Sequence, residues 1–396
     1  MSGVEPGQDW PLDVLAGLRR RPDVEAENLF AHDAADRLLL ETAAQEYPDR
    51  LEDGSRVAVL GDHYGALALG LAAAGVRGHR VHQDALSGEL ALEANAAEAG
   101  LDGAFASTDA AAAVTGARLV LMQLPRSLDV LADWARMIAA SGDDDVVVLA
   151  GGRIKHMTLA MNDALGKSFG SVRAGLARRK ARVLNATQPL PGSALTGAGH
   201  VDEGAEDVGL STPLLLRASP GAFGGARVDP GTRLLLPHLV GPDGLPDHLP
   251  GGGPVVDLGC GNGTIAAFVA LARPELRVLA CDQSQAAVDS TRLTAEANGV
   301  AGRVEARRDD GLGRIPDASL PAVVLNPPFH MGSTVHAGIA LKLFADVGRA
   351  LAPGGRLWCV WNSHLQYRRH LERLVGPTRQ LDRNSKFTVT ASTRRV

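Results

Sequence analysis

The residues most clearly suited to a chemical role are Asn326-Pro327-Pro328-Phe329-His330, which directly follow the apolar run 320–325. An apolar run of this length predicts a buried strand, and each proline fixes φ and removes a backbone donor. The residue before a proline is also driven to an extended conformation. We therefore expect Asn326 at a rigid strand end, where its amide group is free to meet a ligand beside an aromatic ring.

A glycine-rich loop follows an earlier apolar strand. Gly259, Gly261 and Gly263 lie between the strand residue Asp257 and a predicted helix that begins at Thr264. Glycine permits positive φ and close backbone approach, and a helix N-terminus offers unpaired N–H groups. The loop suits a nucleotide-like cofactor of any class. A dinucleotide fingerprint would require glycine at position 264, so the threonine there argues against a dehydrogenase.

Acidic residues follow the next two predicted strands. Asp282, with Gln283 beside it, ends the first of them, where an acid typically accepts from ribose hydroxyls. The other strand ends at Asp309-Asp310 before the small Gly311, and we select Asp310 as the residue that could bind an adenine amino group. A plain turn before Gly311 is an equally good interpretation of that pair.

The elements that position these residues alternate between extended and helical segments. Extended segments are predicted at 254–258, 277–281, 303–306, 320–325 and 356–360, with helices near 264–272, 285–297, 337–351 and 366–374. Strands that alternate with helices predict βαβ units and a mostly parallel sheet. Two further extended segments, 378–381 and 386–391, flank a turn and predict a terminal antiparallel hairpin.

The first half repeats this plan in a degenerate form. Segment 57–62 corresponds to 255–260, and Gln123 stands at the position of Asn326, but the glycine pattern and the double proline are lost. We therefore predict an α/β protein with two tandem Rossmann-like domains. The degenerate domain spans 1–184, a loop-like linker spans 185–212, and the catalytic domain spans 213–396. The degenerate domain is not expected to bind a cofactor.

Composition argues against several classes of protein. No segment approaches the roughly 20 apolar residues of a membrane span, and residues 1–10 lack the basic and apolar regions of a signal peptide. The three cysteines, Cys260, Cys281 and Cys359, show no C-x-x-C spacing. We therefore expect reduced thiols in a cytoplasmic protein, with neither disulfides nor a metal site.

Positive charge is concentrated in two stretches, although the net charge is −5. Range 153–182 holds eight Lys and Arg against one acid, and range 368–395 holds eight against two acids. Such patches on an acidic chain suggest a polyanion bound at defined faces. Solvated helix faces and a solubilising tail are the alternative interpretation.

The strand-end features, taken in this order, resemble those of the class I S-adenosylmethionine-dependent methyltransferases. In that family the glycine loop takes the methionine moiety, the acid after the second strand takes the ribose, and the acid after the third contacts adenine. The implied cofactor-binding residues are Asp257, Gly259, Gly261, Gly263, Asp282, Gln283, Asp310 and Asn326. The implied catalytic residues, which hold a planar nitrogen acceptor, are Asn326, Pro327 and Phe329.

Within that family, the chain more specifically resembles the ribosomal RNA guanine-N2 methyltransferases of the small- and large-subunit type. It is carried by Asn-Pro-Pro-Phe-His, by the degenerate half, and by segments 123–127, 179–182 and 220–236. It implies that the Asn326 side-chain oxygen and the Pro327 carbonyl accept the two N–H bonds of guanine N2. The implied substrate-binding residues are Phe223, Phe329, His330, Arg178, Arg179 and Lys180. Gln123 stands where a basic residue is expected, which weakens an RNA role for its loop. We expect the degenerate domain either to orient RNA through the basic stretch 153–182 or only to pack against the catalytic half.

Three functions remain open at this point. The leading one is N2-methylation of a guanine in ribosomal RNA or a ribosomal subunit, with S-adenosylmethionine as cofactor. A second is methylation of another planar nitrogen, an adenine N6 or a protein glutamine amide. Methyltransferases that act on either acceptor also use Asn-Pro-Pro-aromatic. The third is an RNA-binding assembly factor, which the intact second-half motif argues against. The subunit, the guanine and the oligomeric state stay open, with a monomer favoured and no membrane partner.

Overall fold

Two seven-stranded sheets with the same strand order organise the part of the chain that the computed structural model describes, residues 13–191, 201–328 and 334–395. The sheets belong to two units, 1–200 and 201–396. This confirms the predicted α/β class with two tandem Rossmann-like domains.

From its first described residues, unit 1 begins with two helices, then alternates strands and helices, and ends in two consecutive strands. Its helices are α1 (Asp13–Gly17), α2 (Ala34–Glu46), α3 (Ala66–Ala73), α4 (Leu86–Ala99), α5 (Ala110–Val114), α6 (Leu128–Ser141) and α7 (Leu159–Gly166). Its strands are β1 (Val57–Leu60), β2 (His79–His82), β3 (Phe105–Ser107), β4 (Leu119–Gln123), β5 (Val147–Arg153), β6 (Phe169–Ala174) and β7 (Ala181–Pro189).

Unit 2 begins with a short hairpin and then follows the same plan. Its strands are β8 (Asp202–Glu206), β9 (Leu214–Ala218), β10 (Val255–Leu258), β11 (Val278–Asp282), β12 (Val304–Arg308), β13 (Leu320–Leu325), β14 (Leu351–Asn362), β15 (Thr378–Arg383) and β16 (Phe387–Thr393). Its helices are α8 (Pro230–Val240), α9 (Thr264–Ala272), α10 (Gln285–Ala297), α11 (Thr334–Ala350) and α12 (Arg368–Leu374).

The two large sheets share one topology. Their orders are β3-β2-β1-β4-β5-β7-β6 and β12-β11-β10-β13-β14-β16-β15. The first five strands of each order run parallel, and the last two pair antiparallel. The predicted terminal hairpin is β15–β16, and unit 1 carries a matching hairpin, β6–β7, that the sequence did not predict.

The central strands are apolar because helices cover both faces of each sheet. In β10, Val255 packs with Phe268 of α9 on one face, while Val256 and Leu258 pack with Phe344 of α11 on the other. All four β10 residues are buried. Parallel strands buried on both faces read as continuous apolar runs, which is why these strands were visible in the sequence.

The prediction of a loop-like linker over 185–212 is wrong in two places. Strand β7 continues to Pro189 and pairs with β5 and β6. Strand β8 pairs antiparallel with β9. The sequence of β8, Asp-Glu-Gly-Ala-Glu, is acidic and contains glycine, so its extended form depends on pairing with the leucine-rich β9 rather than on its own propensity.

Two further features bear on the class of protein. Within the described ranges, no helix has both the length and the apolarity that a membrane crossing requires. Cys260, Cys281 and Cys359 are buried free thiols, and burial raises the pKa of each thiol above its usual value.

Candidate functional site

The predicted site residues of unit 2 that the structure describes meet at one edge of its sheet. Strands β10, β11, β12 and β13 run parallel, so their carboxyl ends lie side by side. This is the edge at which open α/β sheets bind ligands. The glycine loop leaves β10, Asp282 ends β11, Asp309-Asp310 follow β12, and Asn326 follows β13. The structure thus brings together the features that the sequence placed at strand ends.

The glycine loop makes the tight turn from β10 into α9. Gly259, Gly261 and Gly263 have φ of 75°, 52° and 79°. A side chain at Gly263 would also place its Cβ 2.8 Å from the Cα of Thr291, so α10 packs directly against the loop. In contrast, a Cβ at Gly261 would meet only Phe223, at 3.6 Å. Gly263 is therefore packed tightly against α10, Gly261 lies buried in ordinary contact with Phe223, and Gly259 is exposed.

Asp257 lies beneath this loop and is fully buried. Its Oδ2 accepts a hydrogen bond of 3.0 Å from the backbone N–H of Ala266 in the first turn of α9. Its Oδ1 is buried without a hydrogen-bond partner among the described residues. Burial raises the pKa of this carboxyl to about 7. The geometry gives Asp257 a bracing position under the loop rather than a place in the cavity wall.

Asp282 links the second strand to the glycine loop. Its Oδ2 accepts from the N–H of Gly261 at 3.1 Å, and its Oδ1 accepts from the N–H of Ser284 at 3.0 Å. Gln283, the next residue, is half-buried. The acid predicted to meet a ribose therefore also holds the loop that precedes it.

The two acids after β12 have different surroundings. Asp309 is 3% exposed, and its Oδ2 lies 3.7 Å from Nη2 of Arg307. Asp310 is half-buried, and its Oδ2 accepts from Nζ of Lys342 in α11. Asp310, the residue selected from the sequence, is thus the more accessible of the two carboxylates, and it carries a cationic neighbour.

Asn326 is held by one end of its amide. Its Nδ2 donates to Oδ2 of Asp229 at 3.0 Å and to Oγ1 of Thr232 at 2.8 Å. Its Oδ1 has no hydrogen-bond partner among the described residues. The following Pro327 is buried. Phe329 and His330 lie outside the described residues, so the roles predicted for them stay predictions.

A cavity opens between the glycine loop and Asn326. The segment 223–232 forms its other wall, with Phe223, Arg227, Asp229 and Thr232 in the lining. Asn262 fastens this segment to the loop, because its Nδ2 donates to the carbonyls of Gly225 and Arg227 at 2.8 and 2.9 Å. Phe223 is 50% exposed at the cavity wall.

Sequence reasoning assigned no role to Asp229, Thr232, Asn262 or Arg227. An aspartate before Pro230 is a recognisable helix start, since Asp favours the N-cap and Pro the first helical position. Asp229 does cap α8, accepting from the N–H groups of Gly231 and Thr232. Its second contact, to Asn326, left no signal in the sequence.

At the corresponding edge of unit 1, the equivalent side chains bind other groups of the same unit. Asp62 is buried in the degenerate loop, and its carboxylate accepts from the N–H groups of Leu67 at 2.6 Å and Ala68 at 2.8 Å. Gln123, at the position of Asn326, donates through Nε2 to Oδ1 of the buried Asp36. Asp62 thus stands at the position of Cys260, and its carboxylate already binds the first turn of α3.

The basic stretch of unit 1 includes the turn between β6 and β7. Arg178, Arg179 and Lys180 are exposed there. Arg179 pairs with Glu41 at 2.8 Å. The carbonyl of Lys180 accepts from the N–H of Ile154, just beyond β5, at 3.0 Å. The turn is thus fastened beside the carboxyl end of β5.

Comparisons with known proteins give one family. The family model described as Methyltransferase small domain matches residues 213–391, and the one described as RLMG N-terminal domain matches 13–190. The chain is 35% identical to the ribosomal RNA large subunit methyltransferase G of Streptomyces avermitilis, over 94% of this chain and 95% of the relative. It is 34% identical to the Stutzerimonas stutzeri protein of the same name, over 98% and 99%.

A solved structure agrees on the fold. The T. thermophilus 16S rRNA N2 methyltransferase RsmC, in complex with AdoMet and guanosine, superposes with a TM-score of 0.72 at 21% identity, over 92% of each chain. The fold is shared over almost the full length, two domain models match, and the relatives are covered over almost their whole length. These findings all indicate the same family. The chain belongs to the family of the ribosomal RNA large subunit methyltransferases G.

Proposed function

We propose that this protein transfers a methyl group from S-adenosylmethionine to the exocyclic N2 of a guanine in large-subunit ribosomal RNA. The observation that carries the proposal is the Asn326 amide beside the glycine loop, with Nδ2 bound to the protein and Oδ1 unpartnered among the described residues. A hydrogen-bond acceptor fixed at this point suits an N–H donor on the substrate.

The residues at this edge of the sheet are of the types that suit the proposed cofactor. The loop is exposed at Gly259, Asp282 lies at the end of the next strand, and Asp310 is half-buried after β12. We assign the methionine moiety to Gly259, Gly261 and Gly263. We assign the ribose to Asp282 with Gln283, and the adenine to Asp310. Asp257 acts indirectly, by holding the first turn of α9 under the loop.

The chemistry requires the protein to prepare a poor nucleophile. The lone pair of guanine N2 is delocalised into the ring, so the nitrogen must be held and partly rehybridised before it can attack. Oδ1 of Asn326 and the carbonyl of Pro327 accept its two N–H bonds and turn the lone pair outward. When bound, S-adenosylmethionine would supply an electrophilic methyl group on a sulfonium, with a neutral thioether as the leaving group. The methylated amine then gives up one proton to water or to a nearby acceptor.

Orientation supplies most of the catalysis in such an in-line transfer. We assign Phe329 to stacking on the base, a contact worth about 1–3 kcal/mol, and Phe223 and His330 to further substrate contacts. A paired guanine must first be flipped out, at a cost of a few kcal/mol.

For unit 1 we propose an RNA-orienting role. Its basic turn at Arg178, Arg179 and Lys180 is exposed, as a phosphate contact requires. The phosphate backbone dominates affinity for nucleic acids, and such contacts position the protein without reading sequence.

The substrate and the buried free thiols support the cytoplasm as the working compartment.

The proposal is tested by offering the purified protein and labelled S-adenosylmethionine to four substrates. These are naked large-subunit RNA, assembled large subunits, and the two small-subunit equivalents, all from cells that lack the protein. We expect label in a large-subunit substrate only. Label confined to small-subunit RNA would contradict the assignment of the subunit, and label in ribosomal protein would contradict the assignment to RNA.

A further inference from the structure

We propose that Asp229 and Thr232 are positioning residues that fix the amide of Asn326 with its oxygen toward the methyl acceptor. The inference rests on the proposed function, because it explains how the catalytic amide keeps the orientation that this function needs. Both residues belong to the start of α8, on a different stretch of chain from the Asn-Pro-Pro elbow.

A primary amide presents two chemically opposite ends of nearly the same size. Only the oxygen end of Asn326 can accept an N–H bond from a guanine amine. Rotation by half a turn would present Nδ2 instead, and a donor would then face a donor. Unless its surroundings prevent that rotation, the side chain would spend part of its time in a form that repels the substrate.

The surroundings of Asn326 favour one orientation. Nδ2 carries two hydrogens, and two oxygens receive them, Oδ2 of Asp229 at 3.0 Å and Oγ1 of Thr232 at 2.8 Å. A rotated amide would direct Oδ1 at these same two oxygens. It would lose the hydrogen bond to the Asp229 carboxylate, which can only accept, and would keep one to Thr232 only by turning that hydroxyl into the donor. One of the acceptors is a carboxylate, and hydrogen bonds to charged groups are the stronger class.

The two acceptors are themselves fixed. The Asp229 oxygen that meets Asn326 also accepts from the N–H groups of Gly231 at 2.8 Å and Thr232 at 3.0 Å, as the N-cap of α8. Thr232 is 5% exposed, and Leu235 and Leu236 of the same helix are buried in the core. The helix start therefore holds two acceptors at a set distance from the elbow, as a rigid support for a catalytic group should.

Four substitutions separate positioning from a general structural role. Thr232→Val keeps the shape but removes an acceptor, whereas Thr232→Ser keeps the oxygen. Asp229→Ala removes the cap and the acceptor. Asp229→Asn keeps both, because the two cap N–H groups select its oxygen for the same place, and asparagine is as good an N-cap as aspartate. The matched control is Asp109→Ala, which removes the N-cap of α5 in unit 1.

The experiment measures kcat, the KM for S-adenosylmethionine and the thermal midpoint of each variant, with the product nucleoside identified. Misorientation of one catalytic group costs up to about a hundredfold, so we expect kcat to fall about tenfold in Thr232→Val and about a hundredfold in Asp229→Ala. The KM for S-adenosylmethionine should change less than about twofold. Thr232→Ser, Asp229→Asn and Asp109→Ala should retain kcat within about threefold.

A second measurement does not depend on turnover. With 15N-labelled asparagine, the two Nδ2 protons of Asn326 should exchange slowly with solvent in the wild-type protein. They should exchange at least about tenfold faster in Thr232→Val, because one hydrogen bond is gone. Equal exchange rates in the two proteins would overturn the proposal.

The kinetic measurements also have outcomes that would overturn the proposal. Wild-type kcat in both Thr232→Val and Asp229→Ala would overturn the positioning role, and so would an Asp229→Asn variant as inactive as Asp229→Ala, since charge rather than position would then be responsible. A wild-type product other than N2-methylguanosine would contradict the proposed function alone. The same variants, compared on that product, would still decide the roles of Asp229 and Thr232.

Discussion

Asp282 and Gly261 are joined by a hydrogen bond of 3.1 Å, in which the backbone N–H of Gly261 donates to Oδ2 of Asp282. The bond connects the acid at the end of β11 to the centre of the glycine loop. A single carboxylate thereby supports the shape of the loop and presents oxygens at the edge where the ribose is proposed to bind.

Replacement of Asp282 should therefore weaken cofactor binding. We expect Asp282→Ala to raise the Kd for S-adenosylmethionine about 10–100-fold, because hydrogen bonds to charged groups contribute roughly 1.5–3 kcal/mol. Isothermal titration calorimetry measures this directly. Asp289→Ala is the control, since Asp289 lies in α10 and pairs with Arg292. An unchanged Kd in Asp282→Ala would contradict the assignment.

Replacement of Asn326 should have the opposite profile. Asn326→Ala removes the acceptor for the amine but none of the groups assigned to the cofactor's methionine, ribose or adenine. We expect kcat to fall at least about a hundredfold, as on removal of other preorganised polar groups, while the Kd for S-adenosylmethionine stays within about threefold. A parallel loss of cofactor affinity would show that Asn326 has been assigned to the wrong ligand.

Two left-handed glycines should differ in their tolerance of alanine. Gly299, with φ of 66°, has nothing within 4 Å of an added Cβ, so Gly299→Ala should cost about 1–2 kcal/mol from backbone strain alone. Gly263, with φ of 79°, would also place its Cβ 2.8 Å from the Cα of Thr291. We expect a further 1–3 kcal/mol or so for overpacking. Urea unfolding measures the loss in free energy of unfolding of both variants. Equal losses would mean that α10 moves to accommodate the added Cβ at Gly263.

The buried Asp36 makes a prediction about pH. Burial raises its pKa to about 7, from 3.8, so the folded chain binds a proton between these values that the unfolded chain has lost. Stability from this group is therefore greatest below about pH 4 and declines as pH rises to about 7. In Asp36→Asn, the free energy of unfolding should fall by roughly 3–4 kcal/mol less over this pH range than in the wild-type protein. Urea midpoints of both proteins from pH 4.5 to 8 measure it, and parallel curves would contradict the raised pKa.

The basic turn of unit 1 predicts a salt effect. If Arg178 and Lys180 contact phosphates, each alanine substitution should reduce the slope of log K for RNA against log salt by about 0.7–0.9. Arg179→Ala should act more weakly, because Arg179 already pairs with Glu41. Fluorescence anisotropy with large-subunit RNA fragments gives the slopes. Arg136→Ala, which breaks a pair with Asp133 in α6, is the control. Unchanged slopes would remove this turn from the RNA interface.

The sequence predicted the parts of the site that depend on local pattern. Apolar runs located the central strands, glycines located the turn before α9, and the proline pair located the end of β13. Parallel pairing then brings Asp282, Asp310 and Asn326 to one edge, because the carboxyl ends of parallel strands meet.

The parts that the sequence did not predict depend on contacts between distant segments. Asp229 and Asn326 are 97 residues apart, and no spacing rule relates a helix cap to a strand end at that separation. The pairing of Asp310 with Lys342 is of the same kind. Strand β8 reads as a loop until its partner β9 is known, and the β6–β7 hairpin is hidden in a charged stretch whose pairing with β5 is tertiary.

The measurement that tests the central claim most directly identifies the methylated nucleoside. Large-subunit RNA from cells that lack the protein is incubated with the purified protein and methyl-labelled S-adenosylmethionine, digested, and resolved by mass spectrometry. The proposed function predicts label in N2-methylguanosine with the wild-type protein and none with Asn326→Ala. Label in N6-methyladenosine, or tight RNA binding with no label in any nucleoside, would contradict it.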